Sequence, residues 1–158
     1  MTEGYLQILI ESLEKKIEVL DRVIALNKEQ AELSSIQPMD MKAYDVTMEE
    51  KGTLIDEINR LDEGFSTTFE HVKDEVTNHK EKYASQIAIL QDLIRKTVDK
   101  SVTVEAQEKR NRAALEAVFR AKRQEIRQVR KSVSSASAYY KAMSKINDVD
   151  PQLMDRRK

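Results

Sequence analysis

His71, Glu75 and His79 recur at four-residue steps, which on a helix puts two imidazoles and a carboxylate on one face. A zinc site asks for more, an HExxH motif or a second ligand set, and neither is present. His79 also falls on an apolar stripe, so these histidines read as packing residues. The carboxylate pairs Glu49-Glu50 and Asp62-Glu63 stand among lysines and arginines. General acid–base work needs such groups buried or crowded in a cleft. A solvated helix face with ion pairs worth about 0.2–0.5 kcal/mol accounts for them instead. Gly4, Gly52 and Gly64 are too scattered for a phosphate-cradling loop. The chain has no cysteine, which excludes disulfides, thiolate ligands and a cysteine nucleophile. No catalytic residue, metal or cofactor is expected, and the chain reads as a non-enzyme.

The strongest charge feature lies at 109–131. Lys109, Arg110, Arg112, Arg120, Lys122, Arg123, Arg127, Arg130 and Lys131 face only Glu116 and Glu125 there. Arg120, Arg123, Arg127 and Arg130 step by three and four, as one helical stripe does. Such a stripe can meet phosphates, an anionic membrane, or an acidic protein surface, including the chain's own first part. Phe119 is the only aromatic in the stretch, which leaves base stacking and interfacial anchoring with little support. A protein contact or a solvated face is the favoured reading, and no nucleic-acid partner is expected. Charge is unevenly spread: residues 1–63 carry seven basic and fifteen acidic side chains, while 64–158 carry twenty and thirteen.

These side chains need helices to position them. Charged residues make up 35% of the chain and aromatics 5%, with three Gly and two Pro, a composition of helical bundles and coiled coils. Leu6, Ile10, Leu13, Ile17, Leu20 and Ile24, with Ala31 further on, line one helix face. Leu9, Val19, Val23 and Leu26 widen it enough to touch two neighbours. Ser34-Ser35-Ile36-Gln37-Pro38 interrupts the pattern, and Asp40 can cap the next helix. Met41, Tyr44, Met48, Ile55, Ile58 and Leu61 form the second stripe, with Leu54 flanking it. Gly64 is expected to break or kink it, with Thr67 and Glu70 as a capping box; a continuous helix through Gly64 would cost about 1 kcal/mol relative to Ala. Phe65, Phe69, Val72, Val76, His79, Tyr83, Ile87, Leu90 and Ile94 continue in register with no loop expected at Asn78-His79. Near Thr97–Val104 a turn and an uninterrupted helix both fit. Leu115, Val118, Phe119, Ile126, Val129 and Val133 restore the stripe.

The expected fold is all-α: an elongated antiparallel helical bundle or coiled coil with helices at about 2–34, 39–63 and 66–131. Residues 132–158 read as a mobile tail. Ser132–Ala138 suits a linker or fraying helix end, and Tyr139, Tyr140, Met143 and Ile146 form an amphipathic patch able to meet a partner helix. A turn is expected at Asp148-Val149-Asp150-Pro151, and disorder at Asp155–Lys158. The first residues lack the basic-then-apolar order of a secretory signal, and no run approaches about 18 apolar residues, so no span is expected.

Several pieces resemble a known family. The first helix of about 33 residues is followed by a Pro/Asp-containing break. Then come Met48-Glu49-Glu50-Lys51-Gly52-Thr53-Leu54-Ile55-Asp56-Glu57-Ile58-Asn59-Arg60-Leu61 and, later, Glu108-Lys109-Arg110-Asn111-Arg112-Ala113-Ala114-Leu115. These are similar to the second helix and the "N-x-x-L" part of the last helix in the FlgN family of flagellar export chaperones. The double Asn that many members show is here the single Asn111. The resemblance covers about residues 1–131, and Ala138-Tyr139-Tyr140-Lys141-Ala142-Met143 adds to it. It implies a cytoplasmic chaperone that binds hook-associated (hook–filament junction) proteins and delivers them to the type III export apparatus. It also implies a client surface on Leu115, Val118, Phe119, Ile126 and Val129, with Tyr139, Tyr140 and Met143. A self-associating structural coiled coil, for instance a homodimer, and a basic nucleic-acid-binding helix are the alternative readings.

Overall fold

The computed structural model describes the backbone of residues 1–157 and the side chains of 1–144. The side chains of Ile146 and of Asp155–Lys158 fall outside the described ones, and the turn expected at Asp148-Val149-Asp150-Pro151 is absent, because the backbone of α3 stays helical through it to Arg157. Three helices follow one another: α1 (Thr2–Ser35), α2 (Met41–Asn78) and α3 (Ala84–Arg157). Contacts divide the chain into Met1–Leu115 and Glu116–Lys158.

Met1–Leu115 is a three-helix bundle. The wide stripe on α1 buries Leu6, Leu9, Ile10, Leu13, Val19, Leu20, Val23 and Leu26, because α1 is touched on two sides. Against α2 it runs antiparallel: Tyr5 stacks on His71 with ring centroids 5.4 Å apart, Lys16 meets Asp62 at 2.7 Å and Gln30 reaches Thr47 at 2.9 Å. Against α3 it runs parallel, through Lys100–Asp21 at 2.6 Å and Asn27–Gln107 at 3.2 Å. The exposed ion pairs contribute only about 0–1 kcal/mol each; they mark the register that apolar burial sets. One end of the bundle holds the main apolar core, where Leu6, Leu9, Ile10 and Leu13 meet Val72, Tyr83, Leu90 and Leu93.

The first connection forms as expected. Helix α1 ends at Ser35, and the Asp40 carboxylate accepts the Ala43 N–H at 3.1 Å, satisfying one of the donors a helix start leaves over. The expected break at Gly64 is absent. Helix α2 runs through it, and the Thr67 hydroxyl donates to the Glu63 carbonyl at 3.0 Å. That bond back along the helix is the mid-helix use of a Thr, and Glu70 pairs with Lys73 instead of closing a capping box.

The second reversal lies at residues 79–83, where no loop is expected from the stripe, and α3 is continuous across Thr97–Val104. The register explains the position. With Tyr5 opposite His71, α2 reaches the start of α1 at about Asn78 and has no further α1 surface to pack on. The His79 N–H donates to Glu75 O at 3.0 Å and the Lys82 N–H to His79 O at 3.1 Å, a turn that needs no positive φ. Tyr83 then returns to the core, which is why the apolar spacing survives the turn. His79 itself is exposed, off the core face assigned to it.

The second unit is helical through Arg157, where α3 ends. Ser132–Ala138, expected as a linker or fraying end, is helical. Ala is the best helix former and Ser costs only a fraction of a kcal/mol per residue, so this stretch contains no breaker.

Candidate binding surface

Two places gather candidate side chains. One is a buried polar layer in Met1–Leu115, at the end opposite the main apolar core. Asn27, Gln30, Thr47, Lys51, Gln107 and Asn111 are all buried there. The Gln30 amide donates to Thr47 Oγ1 at 2.9 Å, and its carbonyl oxygen accepts from Lys51 Nζ at 3.1 Å. Asn111 Nδ2 donates to the Asn27 backbone carbonyl at 2.9 Å, and Gln107 Nε2 to that of Ile24 at 3.3 Å. Lys51, only 4% exposed, is neutralised by Glu108 at 2.5 Å. Asn27 Oδ1 alone among the described buried side-chain polar atoms has no partner. The layer borders a half-open cleft of about 390 Å³ whose lining includes Tyr44, Met48, Lys51, Glu108, Arg112 and Leu115. Burial of the Tyr44 ring, and then the Glu108 charge, raise its phenol above the ordinary 10.0.

The layer is built from polar side chains, so apolar periodicity does not mark it. Met41, Met48 and Ile55, on the expected second stripe, are exposed, whereas Thr47 and Lys51 are buried. The available signal was the spacing of polar Thr47 and Lys51 after Tyr44, in helical register with Ile58 and Leu61.

The second place is Glu116–Ser144. Phe119, Ile126, Val129, Val133, Tyr140 and Met143 are exposed there, from 39% for Phe119 to 68% for Tyr140. With Lys122 and Ala136 they occupy positions 119, 122, 126, 129, 133, 136, 140 and 143. These steps alternate three and four, the seam of a heptad. Tyr139 lies off the seam and packs edge-on against Tyr140, centroids 5.7 Å apart. Val118 is half-buried. Leu115 belongs to the first unit, half-buried and lining the cleft, and the other candidate client residues belong to the second. Arg123 and Arg130 border the seam on one side, with Arg120 and Arg127 further round on that side. Among the described residues no carboxylate lies within ion-pair distance of these four, of Lys122 or of Lys131.

The histidines do not come together. His71 stacks on Tyr5, while Glu75 accepts from the Tyr83 hydroxyl at 3.2 Å and lies 3.8 Å from His79 Nε2. Among the described residues no three His, Asp or Glu side chains converge as a metal-holding group, and no helix is long and apolar enough to cross a membrane. Comparison with family models, with curated proteins and with solved structures finds no match to this chain.

Proposed function

We propose that the chain is a non-catalytic helical chaperone of the FlgN type, which holds hook–filament junction subunits in the cytoplasm and passes them to the flagellar type III export apparatus. The observation that carries the reading is the exposed heptad seam Phe119, Ile126, Val129, Val133, Tyr140 and Met143. Apolar side chains repeated at coiled-coil spacing and left in solvent are a surface for another helix. Covering them contributes about 25 cal/mol per Å² of apolar area, enough to hold a client segment without nucleotide. Val118, Tyr139 and Leu115 complete the client surface in this reading.

Co-expression with a tagged junction subunit, followed by pull-down of the full chain, tests this. Wild type should retain the subunit. The seam variant I126S/V133S/Y140S should lose at least about tenfold in retention, since several buried apolar side chains are each worth about 1.5–3 kcal/mol. Its helicity and melting should be unchanged. No retention by wild type, or equal retention by the variant, removes the reading. The same three/four spacing also favours a self-associating coiled coil, which a concentration-dependent dimer in sedimentation equilibrium, abolished by that variant, would establish in its place.

A further inference from the structure

Resting on Glu116–Ser144 as the partner-binding helix, we infer that its partner is an acidic amphipathic helix, which sets a carboxylate against Lys122 inside the seam and a row of carboxylates along the Arg120–Arg130 border.

Lys122 is the one charged residue among the eight seam positions. A charged residue at a seam position is tolerated when the partner answers it, and it then fixes register. A Lys head packed between apolar layers needs an anion or a path to water. The path to water exists now because the seam is exposed; once a partner covers it, an anion must come from the partner. Arg123 and Arg130 stand seven residues apart beside the seam, as do Arg120 and Arg127 further round. These repeats match the steps at which a heptad partner presents its flanking charges. Glu116–Ser144 carries seven basic side chains against Glu116 and Glu125, and the six between Arg120 and Lys131 have no intramolecular carboxylate partner among the described residues. The complement of this surface is apolar and acidic at once.

Other occupants match it less well. The same segment of a second copy, paired seam to seam, brings only its own Glu116 and Glu125 as carboxylates. A helix lying on an anionic membrane keeps cations on both sides of its apolar face. Here the opposite border holds Val118, Glu125, Ser132 and Tyr139, with Ala121, Gln128 and Ser135 further round. Single-stranded nucleic acid calls for aromatic platforms among the cations, and Phe119 sits in the apolar seam.

The test uses the full chain and a synthetic peptide of about four heptads. The peptide has Leu and Ile in its seam, Glu at one seam position and Glu on both flanks. The control peptide has Lys in place of every Glu. Like-charged flanks keep either peptide from pairing with itself. By fluorescence anisotropy the Glu peptide should bind at least about tenfold more tightly than the Lys peptide. The preference should shrink as salt is raised and reverse in K122E/R123E/R130E, with helicity unchanged by circular dichroism. Equal binding of the two peptides, preference for the Lys peptide, or no binding of either overturns the inference. So does tighter binding to phosphatidylglycerol vesicles or to an oligothymidine than to the Glu peptide. The two proposals fail separately: a junction subunit retained by K122E/R123E/R130E as well as by wild type removes the acidic partner and leaves the chaperone. Binding of the Glu peptide without retention of the subunit does the reverse.

Discussion

At the scale of single residues, the polar layer carries the most tension. Lys51 is held in a place where an unanswered charge would cost several kcal/mol, and it persists because Glu108 and the Gln30 carbonyl oxygen both accept from it. Removing Asn111 would leave the Asn27 carbonyl and Gln30 short of a donor, a loss on the scale of about 1–3 kcal/mol. Tyr44 at the edge of this layer gives the fold a pH dependence. Its phenol is raised above 10.0 in the fold, so the unfolded chain gives up that proton first. The stability tied to the neutral phenol is therefore complete below pH 10.0 and is lost as pH climbs through the folded value. Urea titrations of wild type and Tyr44→Phe should run nearly parallel at neutral pH. Above pH 10.0 wild type should fall more steeply; parallel curves there would show the phenol to be unperturbed.

At the scale of elements, propensity and packing divide the credit. The stripe on α1 was readable because Leu6, Leu9, Leu13, Leu20 and Leu26 repeat without interruption, and its width correctly called for two neighbours. Asp40 was readable as a cap from its place after Pro38. Gly64 misled because glycine is a common helix stop; here packing on either side, at Leu61 and Phe65, keeps the helix going. Its position is exposed, its φ is not positive, and an added Cβ would meet nothing within 4 Å. Gly64→Ala should thus raise the unfolding free energy by about 1 kcal/mol, measured by chemical denaturation. A destabilised variant would mean that α2 does bend there. The turn at 79–83 escaped notice because Tyr83 re-enters the core at a spacing that mimics an unbroken helix. A signal was present in five polar residues running from Asn78 to Lys82. The 119–143 seam was largely readable as spacing. That it lies in solvent was not, since periodicity marks a face and does not say whether anything covers it.

At the scale of the whole molecule, the charge asymmetry is answered only in part. Asp62 is met by Lys16 and Glu50 by Arg22 within the acidic part, Asp21 is met by Lys100 of the basic part, and the cations from Arg120 to Lys131 have no carboxylate within ion-pair distance among the described residues. Within Met1–Leu115 the two ends differ in kind, with aliphatic packing around Leu9 and Leu90 at one and amides with a lysine around Gln30 and Asn111 at the other. Hydrogen-bonded layers give less net free energy than aliphatic burial of the same extent, and units of lower free energy open first in native-state exchange. Deuterium should accordingly enter the amides of Ile24–Ser34, Ala43–Lys51 and Val104–Asn111 before those of Leu6–Leu13, Thr68–Val76 and Ile87–Leu93. A bundle that unzips from its polar end offers an arriving chain a foothold there while the far end stays closed.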